Sequence, residues 1–210
     1  MCSNFYQLFS TGKKRLEKFI DPNQIEFELH DLNVFPHQNA YIYRNNNLIE
    51  ANFSLLPSWS KERKPKFATY NARIETVIEK PTWKESFEKH HCIIPISGFR
   101  EPVYEGTMAG NVVQFSKGDE ILLAAGLYNE WLDKNTGEVV PSFTIVTKEP
   151  YPFIEKIGHD RSPLFLSEEN AHKWLSMENE NVLTQKEFLL NNFKPYSEFN
   201  VEKYRALKSK

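Results

Sequence analysis

The sequence has few cysteines, no long apolar run and little net charge. Its two cysteines, Cys2 and Cys92, are far apart in a chain of 210 residues, which predicts free thiols in a reducing compartment rather than a disulfide framework. No apolar run reaches the length that crosses a bilayer. The start, Met1-Cys2-Ser3-Asn4-Phe5, lacks the basic and apolar regions of a signal peptide. These absences predict a cytoplasmic protein with no membrane partner.

Charge is close to balanced overall but unevenly distributed. The formal net charge is −2 at pH 7, so any binding of nucleic acid needs a local basic patch. Between Trp59 and Arg100, basic residues outnumber acidic ones by nine to five, whereas between Asp119 and Glu180 acidic residues outnumber basic ones by twelve to five. The first stretch is a candidate anion-binding region, with an ordinary solvated surface as the alternative.

Aromatic content and hydrophobic periodicity predict one α+β domain. Aromatic residues make up 14% of the chain, which favours β-structure. Strands are expected over residues 24–30, 40–44, 48–56, 92–96, 111–115, 121–125 and 142–147, and helices over residues 12–19, 82–90, 168–175 and 184–191. Many short strands with few helices predict a single domain over residues 1–210, built on a curved, barrel-like, mainly antiparallel β-sheet with peripheral helices.

Cys2 is the first candidate for chemistry. If the initiator methionine is removed, Cys2 carries an α-amine and a thiol on one residue, with reference pKa values near 8 and 8.5. An amine condenses with an aldehyde to a Schiff base, and the neighbouring thiol can then close a five-membered thiazolidine. Position 2 therefore fits an aldehyde trap or a self-processing residue, and an incidental cysteine is the alternative.

Three polar clusters elsewhere in the chain could carry further chemistry. Asn71 and Arg73, two apart in an extended segment, present an amide and a guanidinium that suit a phosphate or carboxylate. Glu101 follows an apolar strand and could act as a general acid or base, and His159 suits proton transfer near pH 7. The alternative is a helix start or turn for the segment with Asn71 and Arg73, an ordinary loop residue for Glu101, and a metal site for His159. His90-His91-Cys92 alternates faces, so no metal site is predicted.

Six short motifs follow one another along the chain, and they carry a family resemblance. They are Met1-Cys2, Asn71-Ala72-Arg73-Ile74-Glu75-Thr76, Gly98-Phe99-Arg100-Glu101, Ala125-Gly126-Leu127-Tyr128-Asn129-Glu130-Trp131, Phe143-Thr144-Ile145-Val146-Thr147 and His159-Asp160-Arg161-Ser162-Pro163. Asn33-Val34-Phe35-Pro36 and Leu55-Leu56-Pro57-Ser58-Trp59 belong with them. The ordered set resembles the SOS response-associated peptidase (SRAP) family, most clearly over residues 2–175.

The resemblance implies a protein of DNA damage repair in the SOS response. It implies an abasic-site sensor that crosslinks to single-stranded DNA through a thiazolidine at Cys2, after Met1 is removed by self-cleavage or by an aminopeptidase. It therefore implies an enzyme, a self-processing cysteine peptidase with DNA crosslinking activity and, as a further expectation, lyase activity. We expect a monomer, associated with the bacterial nucleoid when bound to DNA, that needs no cofactor or metal.

The resemblance also assigns roles to individual residues. The catalytic residues would be Cys2, Asn71, Glu101 and His159, with Glu101 moving protons around the amine and His159 protonating the sugar oxygen. Arg73 and Arg161 would contact flanking phosphates. The full set of expected DNA-binding residues is Arg73, Arg161, Trp59, Pro36, Thr147 and Lys66.

The sequence departs from the family pattern at three places, one of which is near the C-terminus, where Lys194-Pro195-Tyr196-Ser197 only partly matches the usual His-Pro-Val-Ser. The family usually begins Met-Cys-Gly-Arg, but here Ser3 and Asn4 follow Cys2. The family's Glu is commonly followed by Trp, but Pro102 follows Glu101, which removes an aromatic wall. Two other functions stay open from the residues alone: a thiol peptidase acting on other proteins through Cys2 and His159, and a non-covalent module for binding single-stranded DNA.

Overall fold

The structure, a computed structural model, describes residues 2–10, 16–17, 19–21, 25 and 28–207. Its helices are α1 (Pro81–Lys89), α2 (Pro152–Ile157), α3 (Glu168–Ser176) and α4 (Val182–Asn192). The strands are β1 (Asn4–Gln7), β2 (Leu32–Val34), β3 (Asn39–Arg44), β4 (Asn47–Phe53), β5 (Asn71–Arg73), β6 (His91–Ile96), β7 (Gly98–Val103), β8 (Asn111–Ser116), β9 (Leu122–Leu132), β10 (Val139–Lys148), β11 (Ser162–Pro163), β12 (Phe165–Leu166) and β13 (Asn200–Ala206).

Five of the strands close into a barrel. The order is β10, β4, β3, β6 and β9, and β9 pairs back onto β10. Every pairing in this ring is antiparallel except the one between β4 and β10. The predicted α+β domain with a barrel-like, mainly antiparallel sheet is therefore confirmed. Closure removes the free edges that a five-stranded open sheet would leave.

A second sheet, in the order β13-β8-β7-β1-β2, packs its inner face towards the barrel. The core between the two contains Phe5 of β1, whose ring lies 5.1 Å from Phe53 of the barrel in an edge-to-face contact. Phe99 stacks on Phe115 at 5.0 Å between centroids. Truncation of a fully buried Phe to Ala costs about 3–5 kcal/mol, so the high aromatic content of the sequence has a direct role in stabilising this interface.

The helices cover another face of the barrel, where a second core contains Phe87 of α1 and Trp174 of α3. Three of the predicted helices are confirmed within one or two residues as α1, α3 and α4. Ser167 is the N-cap of α3, where its Oγ accepts a hydrogen bond from the Asn170 backbone N–H at 3.2 Å. No helix within the described residues is long and apolar enough to cross a membrane.

Several elements differ from the sequence-based expectation. The predicted helix over residues 12–19 and strand over residues 24–30 lie largely outside the described residues. Strand β9 is about twice as long as the strand predicted over residues 121–125. The prediction ended too early because Gly126 and the polar residues after it interrupt the apolar run. Strand β7 was not predicted, since Glu101 occupies an inward position where an apolar residue is expected and Pro102 breaks the pattern. Pro102 is tolerated because β1 pairs only with residues 98–100 of β7. At Pro102 no β1 residue requires the backbone N–H that proline lacks.

Candidate active site

The four residues predicted to be catalytic come from four separate segments and lie together at the start of β1. Cys2 precedes β1, Asn71 begins β5, Glu101 lies on β7 and His159 follows α2. Asn71 Nδ2 donates a hydrogen bond to the Cys2 carbonyl oxygen at 2.8 Å, and His159 Nε2 lies 3.2 Å from Glu101 Oε2. The negative charge of Glu101 also acts on the Cys2 thiol, which links the two pairs into one site.

Strand pairing explains how these distant segments meet. β1 pairs antiparallel with β7, with Asn4 opposite Arg100 and Phe5 opposite Phe99, so the residues just before β1 lie beside Glu101. β5 pairs in parallel with β10 from Asn71 to Arg73. β11 pairs with the same end of β10, which brings the preceding segment with His159 to the site.

Cys2 is buried, and its surroundings keep its thiol protonated. The residue is 1% exposed, and Sγ lies 3.9 Å from the Asn4 carbonyl oxygen. Burial, and then the negative charge of Glu101, raise the pKa of the Cys2 thiol well above its ordinary value. A thiol in this state is a poor first nucleophile at neutral pH because the thiolate is the reactive form.

Glu101 and His159 form a buried acid–base pair. Glu101 is fully buried and His159 is 7% exposed, so solvent screens the contact between the two side chains little. His159 Nδ1 lies 3.0 Å from the Arg161 carbonyl oxygen and 3.3 Å from the Arg161 backbone nitrogen. These main-chain contacts orient the imidazole with Nε2 towards Glu101, in either tautomer of the ring.

A glycine holds the segment that carries His159. Gly158 ends α2 with φ of 105°, a left-handed conformation that favours glycine. A Cβ atom at this position would lie 2.0 Å from the Glu105 carbonyl oxygen. The close approach fixes the end of α2 against the segment after β7, and β7 carries Glu101.

Arg161 lies inside the protein, with its guanidinium engaged by neighbouring residues. Nη1 and Nη2 donate to the two carboxylate oxygens of Glu75 at 3.0 and 2.9 Å. Nη2 also donates to the Thr147 carbonyl oxygen at 2.9 Å and its hydroxyl at 3.3 Å. Thr147 is likewise buried. In this structure both residues support the His159 segment, and their contact with DNA remains a prediction.

The Glu75–Arg161 pair makes a prediction for stability. Replacing Glu75 with Gln should lower the free energy of unfolding at neutral pH by about 1–2 kcal/mol, since it leaves a buried guanidinium without its counterion. This is less than a fully buried pair would give, because the Glu75 side chain is 40% exposed and screened by solvent. Glu79→Gln, at an exposed position nearby, should change little. Denaturant unfolding of the three proteins measures both effects.

The same pair should make this difference depend on pH. Partial burial alone would raise the pKa of Glu75, but the hydrogen bonds and charge of Arg161 outweigh it and lower the pKa below the ordinary 4.5. A carboxylate whose pKa is lower in the folded than in the unfolded protein stabilises the fold fully when the pH is above its unfolded-state pKa. This stabilisation is lost as the pH falls through its folded-state pKa. The difference in the free energy of unfolding between the wild type and Glu75→Gln should therefore become smaller as the pH is lowered. A difference in the free energy of unfolding that stays constant at acid pH would contradict this assignment.

The remaining DNA-contact candidates lie mostly on the surface. Arg73 and Lys66 are exposed, and Pro36 is half-buried. Trp59 is 53% exposed and stacks on Phe67 with ring centroids 6.4 Å apart. The two rings border a cleft of about 360 Å³ that also includes Lys61 and Lys66.

Two features of this region were not found from the sequence. Phe67 carries no motif of its own, and its pairing with Trp59 depends on how the intervening loop folds. Glu75 lies within a recognised motif, but its partner Arg161 is 86 residues away, so no local spacing indicates the pair. Within the described ranges, no group of three or more His, Cys, Asp or Glu residues could hold a metal ion.

The fold and the site together define a class of protein. It is an α+β barrel in which a buried cysteine near the N-terminus lies against a Glu–His pair and is held by an asparagine amide. The chain belongs to the SOS response associated peptidase (SRAP) family, whose model matches residues 1–207. The resemblance drawn from the motifs is thereby confirmed.

Named relatives and solved structures agree with this assignment. The chain is 34% identical to the abasic site processing protein YoqW of Bacillus subtilis, over 98% of this chain and 92% of that protein. It is 30% identical to the abasic site processing protein HMCES of Xenopus tropicalis, over 59% of this chain and 43% of that protein. A crystal structure of a Bacteroides thetaiotaomicron protein matches with a TM-score of 0.77 at 25% identity, covering 97% of this chain and 92% of that one.

Proposed function

We propose that this protein processes abasic sites in single-stranded DNA by forming a covalent thiazolidine through Cys2. The observation that carries the proposal is the placement of a buried Cys2 beside Asn71 and the Glu101–His159 pair. The names of the relatives support abasic DNA as the substrate. Removal of Met1 is part of the proposal, because only then does Cys2 offer a free α-amine.

The chemistry needs no oxidant, reductant or cofactor. An abasic deoxyribose in its open form has an aldehyde, and the Cys2 amine nitrogen adds to the aldehyde carbon. One water leaves as the imine forms. Cys2 Sγ then adds to the imine carbon while the thiol proton passes to the nitrogen. One C–N bond and one C–S bond replace the C=O bond, which closes the thiazolidine ring.

The state of the thiol favours this order of steps. Burial and the charge of Glu101 raise the pKa of the Cys2 thiol, so the α-amine is the better first nucleophile near neutral pH. The thiol reacts second, when the imine carbon is already held beside it. A thiol peptidase acting on other proteins would instead attack first with a thiolate, which the raised pKa of the Cys2 thiol disfavours.

Each neighbouring side chain has a role in this sequence of steps. Glu101 would accept the proton of the Cys2 amine and pass protons to the leaving water. His159, with Nε2 towards Glu101, would protonate the sugar oxygen as the ring opens. Asn71 holds the Cys2 carbonyl through Nδ2. Its Oδ1 is buried without a hydrogen-bond partner among the described residues, so it is an acceptor for the amine or a sugar hydroxyl.

The surface residues would hold the strand on either side of the sugar. Arg73 and Lys66 would contact phosphates, which position a strand without reading its sequence. Trp59 and Pro36 would stack against bases beside the lesion, a contact that tolerates any base. Arg161 and Thr147 would contact the phosphate nearest the site, in addition to supporting His159. We expect a monomer to be sufficient, and binding to chromosomal DNA in the nucleoid.

Self-cleavage and cleavage by an aminopeptidase are the two routes to the free amine. Asn71 contacts the Cys2 main chain, and Asn71, Glu101 and His159 are the candidates for releasing Met1, which agrees with the peptidase description of the family. Lyase activity at the crosslinked sugar would follow from the imine stage, which makes the adjacent C–H bond acidic. Both activities depend on the residues already assigned.

Intact-mass measurement tests the proposal directly. Protein mixed with an abasic single strand should give a species equal in mass to the Met1-free protein plus the DNA, less one water. The same strand with a normal base should give none. An unchanged protein mass with the abasic strand, or the same adduct with the normal strand, would contradict the proposal.

A further inference from the structure

Arg100 lies between two tyrosine rings on the outer face of the second sheet. Its guanidinium carbon is 4.6 Å from the ring centroid of Tyr6 and 4.0 Å from that of Tyr204. Side chains alternate along β7, so Arg100 faces away from the core that contains Glu101. Both rings therefore contact the guanidinium, and the edges of the guanidinium carry its hydrogen bonds.

The edges of the guanidinium are only partly occupied. Nε donates to Gln114 Oε1 at 2.8 Å, and Nη1 donates to Asn4 Oδ1 at 3.3 Å and Asn33 Oδ1 at 2.7 Å. A guanidinium has five N–H donors, so these bonds leave the two donors of Nη2. Within the described ranges Nη2 has no hydrogen-bond partner, and the residue is only half-buried.

The charge of Arg100 has no carboxylate partner in the described part of the chain. All three hydrogen-bond acceptors are side-chain amides, which orient a cation without neutralising it. Partial burial lowers the pKa of Arg100, consistent with a charge that is partly desolvated and uncompensated. A guanidinium is never neutral under these conditions, so the site carries a full positive charge and two Nη2 donors without a hydrogen-bond partner among the described residues.

The position of this charge is close to Cys2. Arg100 is directly opposite Asn4 in the β1–β7 pairing, two residues after Cys2. Tyr204 lies where the register of β13 against β8 shifts, between Lys203 and Arg205. Such irregularities re-aim a side chain, and here the ring covers Arg100.

We propose that Arg100, held between Tyr6 and Tyr204 and oriented by Asn4, Asn33 and Gln114, binds a backbone phosphate of the DNA strand next to Cys2. This rests on the proposed function for the identity of the strand. Guanidinium N–H groups pair well with phosphate oxygens, and the fixed orientation lowers the entropy lost on binding. The contact positions the strand and does not select a sequence.

Binding of a strand without an abasic site tests the inference apart from the covalent chemistry. Arg100→Gln should weaken binding of a single strand with normal bases, and the slope of log affinity against log salt should fall by about 0.7, the value for one phosphate contact. Arg100→Lys keeps the charge and should keep the slope. Arg44→Gln is the matched control, because Arg44 also lies over a tyrosine, Tyr128, at 3.9 Å but is paired with Glu130.

A second variant guards against misfolding of Arg100→Gln. Asn33 Oδ1 accepts hydrogen bonds from both Asn4 and Arg100, so Asn33→Asp keeps these bonds and supplies a counterion to the guanidinium. Asn33→Asp should lower the slope of log affinity against log salt by the same amount as Arg100→Gln. Wild-type slopes in both Arg100→Gln and Asn33→Asp, or an equal loss in Arg44→Gln, would overturn the inference. If the salt slopes of both variants fall as expected but the wild type forms no adduct with an abasic strand, the phosphate contact stands and only the covalent proposal is contradicted.

Discussion

Replacing Cys2 with Ala is expected to abolish the covalent adduct with abasic single-stranded DNA completely. The variant keeps an N-terminal α-amine after Met1 removal but has no sulfur to close the ring. Any imine that forms is then open to hydrolysis, so no adduct should survive denaturation and heating. The measurement is a denaturing gel and an intact mass of protein incubated with the abasic strand.

Cys92→Ala is the matched control for this experiment. Cys92 is the other cysteine of the chain, is also fully buried, and its thiol pKa is also raised by burial. It lies on β6 in the core against Gly126, and Glu101 is not among the charges that act on its thiol. We expect wild-type adduct yield from Cys92→Ala. A heat-stable adduct in Cys2→Ala, or its loss in Cys92→Ala alone, would end the thiazolidine mechanism.

The parts of the fold that were predictable are those specified by local chemistry. The hairpin between β3 and β4 is a clear case, because Asn45 and Asn46 adopt φ of 47° and 61°, a conformation that asparagine tolerates better than most residues. The N-cap of α3 at Ser167 is another. In both, the residues that determine the structure are adjacent in sequence.

The parts that were not predictable depend on contacts between distant residues. β7 has a charged residue at an inward position, and only the pairing with β1 and the contact with His159 explain why it is a strand. The family resemblance assigns Arg161 a contact with DNA, whereas its main partner in the structure is Glu75, which comes from a different segment. Asn71, Glu101 and His159 were identified through motif order, and the strand pairing then explains how they meet.

Glu101 and His159 should have separable effects on the reaction. Schiff-base formation needs a deprotonated amine and the loss of water, and both steps benefit from a carboxylate beside Cys2. Opening of the sugar ring needs a proton at its oxygen, which an imidazole supplies. A positioned general acid or base contributes roughly 10²- to 10⁴-fold. Glu101→Gln should therefore slow adduct formation within that range. His159→Ala should slow ring opening, and should slow adduct release at least as much, because reopening the thiazolidine also needs a returned proton.

Asp160→Asn provides the control for the His159 variant. The Asp160 carboxylate lies 3.8 Å from His159 Nδ1, but its side chain is 81% exposed, so solvent screens its effect on the imidazole. We expect rates close to wild type. A pulse of labelled abasic strand followed by excess unlabelled strand measures formation and release separately in each variant. If His159→Ala forms and releases the adduct at wild-type rates, the imidazole is not the proton donor, and Glu101 must act without it.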